Sequence, residues 1–90
     1  MKNNTLGQEE QINQRSTLII SIAQASLPEG FEINTQGDRN NRGLVAYTQE
    51  GQFQLQLRNG QNLSRIMSFE WNDSEGQIRD QIRRAIRVMS

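Results

Sequence analysis

The sequence predicts an α+β fold. In this small α-β-β-β-β-α domain, an antiparallel four-stranded meander sheet carries the N- and C-terminal helices on one face. Three observations lead there. Apolar residues recur at helical spacing near both ends, at Ile12, Ile19 and Ile22 and again at Ile78, Ile82, Ile86 and Met89. Between them, Phe53, Leu55 and Leu57 alternate strictly with Gln52, Gln54 and Gln56, as in a strand with one buried face. The glycines fall singly between the apolar stretches, where turns belong.

Taken in order, residues 1–7 are expected to be a disordered N-terminus of a single domain, 1–90. "EEQINQRSTLIISIAQASLPEG" reads as the first helix, with Ile12, Arg15, Ile19, Ile22 and Ala23 on one side and Leu18 and Ala25 widening the stripe. Pro28 and Gly30 stop it. "FEINT" is the first strand and "QGDRNNRG" a loop by composition. "LVAYT", "QFQLQLR" and "NLSRIMSFEWN" follow as three more strands.

Parity sets the expected registers, because a one-residue slip moves every side chain to the other face. A three-residue loop at Gln49-Glu50-Gly51 pairs Tyr47 with Phe53 and Val45 with Leu55. A second, at Arg58-Asn59-Gly60 with Gly60 in the left-handed region, pairs Leu55 with Leu63. It also puts Met67, Phe69 and Trp71 on the apolar face. Arg65 then falls opposite Phe53, a misfit that snorkelling, an edge position or a bulge near Ser64 would relieve. The last helix opens on a capping box, Ser74 with Gln77, and gathers arginines toward its C-terminal end. On its outer side Asp80 and Arg84 stand at ion-pair spacing.

Composition excludes many chemistries. The chain has neither histidine nor cysteine, which removes imidazole bases, thiol nucleophiles, disulfides and zinc sites of the usual donor set. Its one lysine, Lys2, is near the N-terminus, and no glycine-rich phosphate loop is present. "DRNNRGLVAYTQ" places Asp38, Asn40 and Gly43 as in a calcium loop, but Arg42 and Gln49 occupy positions where ligands belong. Glu70, Asp73 and Glu75 cluster at the start of the final helix, where capping and sheet-rim charge account for them. The chain is therefore read as no enzyme, with no metal and no cofactor.

Ten basic residues balance ten acidic ones, so phosphate neutralisation is not its main business. Met1 to Gln14 is polar apart from Met1, Leu6 and Ile12, and "TLIISIA" is the longest apolar run, which predicts no signal peptide, no membrane partner and a cytoplasmic location. A chain of this length buries only roughly 60 to 65 per cent of its unfolded surface, which favours self-association, and a homodimer is expected.

Two roles remain. The first is a non-catalytic protein-interaction module (adaptor, small chaperone or inhibitor) using an open, amide-rich sheet face or an edge strand. The binding residues would be Thr48, Gln52, Gln54, Gln56, Ser64, Ile66 and Ser68. An uncharged amide face costs less to desolvate than a charged one, and an exposed edge pairs with other chains. The second is a nucleic-acid-binding domain using Arg39 and Arg42 of the loop with Arg79, Arg83 and Arg87 of the final helix. In element order the chain is similar to double-stranded RNA-binding domains. It departs from them in having four strands rather than three and no lysine-rich helix start. The helix-then-sheet order is similar to that of specialised secretion chaperones, which dimerise.

Overall fold

The computed structural model describes the backbone of residues 4–35 and 43–90. Among these residues, two helices and six short strands make an α+β fold: α1 (Asn4–Ser26), β1 (Phe31–Ile33), β2 (Ala46–Tyr47), β3 (Phe53–Leu55), β4 (Leu57–Asn59), β5 (Asn62–Leu63), β6 (Met67–Phe69) and α2 (Glu75–Met89). Helix α1 begins inside the stretch expected to be disordered and is released at Ser26, two residues before Pro28. A turn follows in which the Phe31 amide donates to the Pro28 carbonyl (3.1 Å). Gly30, at φ 91°, supplies the positive φ at its third position. Among the described residues no helix is long and apolar enough to cross a membrane.

The four-stranded meander expected from the sequence is not what forms. The strands divide into two three-stranded antiparallel sheets, β1-β4-β5 and β2-β3-β6. β3 and β4 are halves of the predicted central strand, interrupted at Gln56, and β5 and β6 are halves of the predicted last strand. "FEINT" does not pair with "LVAYT". Each instead flanks a different half of the central stretch, with Ile33 opposite Leu57 and Tyr47 opposite Phe53.

The interruption has a polar cause. Gln56 Nε2 donates to the Ser64 carbonyl (2.8 Å), and Gln56 Oε1 accepts from Asn34 Nδ2 (3.0 Å). The Leu57 amide donates to Ser64 Oγ (2.9 Å). All three polar residues are at most 9 % exposed. Side chains thus add to the two backbone bonds left at the junction, from the Asn34 amide to the Gln56 carbonyl (2.7 Å) and from the Ser64 amide to the Leu57 carbonyl (2.9 Å), and satisfy the buried polar groups between them.

Registers divide the same way. Tyr47 faces Phe53 across a loop of Gln49, Glu50 and Gly51, as parity predicts, with Gly51 at φ 83°. The second hairpin differs: Asn59 faces Asn62 across a two-residue loop, Gly60-Gln61. Gly60 does take positive φ, 65°. Arg58 then pairs with Leu63, and Leu55 with Met67. Two residues on one strand thus oppose Ser64, Arg65 and Ile66 on the other, a bulge of one residue where the sequence allowed for it. Leu55 therefore does not meet Leu63, and Phe53 faces Phe69 rather than Arg65. Arg65 and Ile66 stand outside both ladders. The apolar parity survives because the shorter loop and the bulge offset one another.

Both helices cover the apolar side of the strands. Ile19, Ile22 and Ala23 of α1 and Ile78, Ile82, Ala85 and Ile86 of α2 enclose Val45, Phe53, Leu55, Leu57, Met67 and Phe69. Arg15 ties α1 to the β6–α2 connection by donating to the carbonyls of Glu70 and Asp73. Gln81 Nε2 donates to the Ser68 carbonyl (3.3 Å), so α2 lies over the β6 side. Ser74 caps α2 in the expected box: its Oγ accepts from the Gln77 amide (3.1 Å), and Gln77 Oε1 accepts from the Ser74 amide (2.7 Å).

Candidate interaction surface

On the side away from the helices, the strand alternation brings Gln52, Gln54 and Gln56 into one row. Each amide reaches the neighbouring strand. Gln52 Nε2 donates to Glu70 Oε2 (2.6 Å), Gln54 Nε2 to Ser68 Oγ (3.4 Å) and Gln56 Nε2 to the Ser64 carbonyl. The amides predicted to hold a partner are hydrogen-bonded within the chain, one between β3 and β6 and one just beyond each end of that pair. Thr48 is similarly engaged, accepting from the Gln52 amide (3.1 Å) where the first hairpin turns.

The seven predicted contact residues therefore part company. Gln56 and Ser64 are buried in the junction, and Thr48, Gln52, Gln54 and Ser68 are half-buried. Ile66 alone is exposed, at 50 %. The predicted nucleic-acid residues scatter too. Arg39 and Arg42 lie outside the described residues. Arg79 is half-buried, whereas Arg83 and Arg87 are exposed, as is Arg84. The only ion pair among the described residues is Arg58 with Glu32, so Asp80 and Arg84 do not pair despite their spacing. Nor do Glu70, Asp73 and Glu75 form an acidic site: Asp73 Oδ2 accepts from the Glu70 amide (2.9 Å). Among the described residues no group of three or more carboxylates is placed to hold a metal ion.

One side of the molecule presents exposed apolar residues of which the sequence reading anticipated only Ile66 as a contact. The exposed large apolar side chains among the described residues are Leu63 (51 %), Ile66 (50 %), Trp71 and Val88 (85 %). Trp71 belongs to an aromatic cluster with Tyr47 and Phe53, edge-on to Phe53 at 4.9 Å, and donates to the Tyr47 hydroxyl (3.0 Å). The other three stand on β5, the bulge and the last turn of α2. Between those elements runs a groove of about 370 Å³, lined by Asn62, Leu63, Ser64, Arg65, Ala85, Val88 and Met89. A signal existed: Val88 is apolar yet off the Ile78-Ile82-Ile86 stripe, so a packed α2 must leave it outside. Compared with protein-family models, curated proteins and solved structures, the chain matches none of them.

Proposed function

We propose that this chain is a non-catalytic protein-interaction module, an adaptor, small chaperone or inhibitor acting in the cytoplasm. It receives its partner at the β5–bulge–α2 end and the adjoining outer sheet face. The observation that carries this reading is the exposure of Leu63 and Val88 along one groove, with Ile66 exposed next to the groove residue Arg65. Single exposed apolar residues need no explanation, but a group beside a groove marks a contact surface. The non-catalytic part rests on the absence of histidine and cysteine from the whole chain and on the internal engagement of Glu70 and Asp73. The homodimer expected from chain length belongs to the same reading.

A second reading, nucleic-acid binding, is favoured by one observation: Arg83, Arg84 and Arg87 are exposed on α2 with no carboxylate paired to them among the described residues.

Affinity capture from native extract, with and without nuclease, separates the two. Protein capture that survives nuclease and is lost in Ile66→Asp and Leu63→Asp supports the module. Capture abolished by nuclease, or by Arg83→Ala with Arg87→Ala while Ile66→Asp leaves it intact, overturns it in favour of nucleic acid.

A further inference from the structure

We infer that the groove between β5, the bulge and the C-terminal turns of α2 takes an acidic segment of another protein, with an apolar side chain seated between Leu63, Ala85, Val88 and Met89. The inference rests on the proposal that this end binds protein, and goes further by naming the chemistry of what binds.

Three features select that occupant. The volume, about 370 Å³, is at the small end of ligand sites (~300–1,000 Å³), enough for one or two side chains. Four of the seven lining residues are apolar, Leu63, Ala85, Val88 and Met89, and the flexible thioether of Met89 adapts to varied apolar shapes, while Asn62, Ser64 and Arg65 supply the polar side. The one charged side chain that lines the groove is basic. Arg65 lines the groove, Arg84 lies one turn before Val88 on the same side of α2, and no carboxylate side chain lines the groove. Neither guanidinium has a carboxylate within ion-pair distance among the described residues. The partial negative charge of the last α2 carbonyls is smaller than two guanidiniums.

Charge also disfavours the other occupants. A second copy docked through this end about a twofold axis presents the same arginine-bearing patch to Arg65 and Arg84 and no groove carboxylate to pair with them, and like charges across an interface are penalised. A nucleic-acid strand satisfies the arginines but finds no aromatic side chain in the groove on which to stack a base.

A displayed library of short random peptides, panned on the full chain, tests this directly. Enriched peptides are expected to share a leucine or aromatic anchor flanked by aspartate or glutamate. Their affinity should fall as salt is raised, because the arginines are exposed. It should also fall on the order of tenfold in Val88→Asp and in Arg65→Glu, a loss of about 1.4 kcal/mol. Both positions are exposed, so both variants should unfold at the wild-type temperature. Enrichment of basic or uncharged peptides, or binding indifferent to Val88→Asp, overturns the inference. So does a dimer, seen by light scattering, that Val88→Asp dissociates. If peptides fail in this way while capture from extract still depends on Ile66, only the groove assignment falls. Loss of the Ile66 dependence removes the broader reading as well.

Discussion

At the scale of single residues, two buried polar groups have opposite expected effects. Gln56 is 9 % exposed and satisfies both the Ser64 carbonyl and the Asn34 amide. Its truncation strands two buried partners, and each stranded group costs about 1–3 kcal/mol. Gln56→Ala is therefore expected to destabilise by about 2–3 kcal/mol. Gln54→Ala, in the next position of the row but half-buried, should cost under about 1 kcal/mol. Chemical denaturation followed by the fluorescence of Trp71, the single tryptophan, measures both. Equal losses would show that the junction between the sheets does not depend on this side chain. Ser16 is the reverse case, fully buried with no hydrogen-bond partner for its hydroxyl. Ser16→Ala removes an unsatisfied group and improves helix propensity, so a gain of about 0.5–1 kcal/mol is expected. A lowered melting temperature would mean that the hydroxyl is engaged.

At the scale of elements, the parts legible in the sequence were those governed by local chemistry. The capping box of α2, the Tyr47–Phe53 hairpin and the apolar stripe of α2 follow from spacing alone. Ser74→Ala is accordingly expected to cost about 1 kcal/mol. Because Ser74 and Gln77 cap one another, the double variant with Gln77→Ala should lose less than the sum of the singles. Strict additivity in that cycle would contradict the reciprocal bonds. The sheet division was not legible, because Gln52, Gln54 and Gln56 look identical in sequence and only Gln56 meets Asn34 and Ser64. The bulge was anticipated but the loop beside it was not. Asn59-Gly60 and Gly60-Gln61 both offer Gly60 as the left-handed residue, and the bulge restores the parity that would have told them apart. Of the predicted contact face, Ile66 remains exposed, since glutamine spacing says nothing about whether an amide is already bonded across the sheet.

At the scale of the whole molecule, size and shape predict uneven stability. The chain extends 49 × 27 × 21 Å. Helix α1, with 23 residues, is about 35 Å long at 1.5 Å per residue, longer than either short dimension. It therefore runs along the long dimension, and near its start Gln8, Glu9, Glu10 and Gln11 are all exposed. Burial starts at Ile12 and becomes continuous only around Ser16, Ile19, Ile22 and Ala23. A polar helix end without tertiary packing has little to hold it, because nucleation and propagation alone are marginal at this length. Native-state hydrogen exchange should therefore divide α1. Amides before Ile12 are expected to exchange by local fraying, while those from Ile19 to Ala23, with Leu55, Ile78 and Ile82, exchange only through global unfolding. Ile82 is fully enclosed, so Ile82→Asp should abolish the slow class at every one of those sites at once. Val88→Asp, at an exposed position of the same helix, should leave the slow class untouched. If Ile82→Asp freed α2 but left Leu55 and α1 protected, α2 would not share the core, and the cooperative unit would be α1 with the strands.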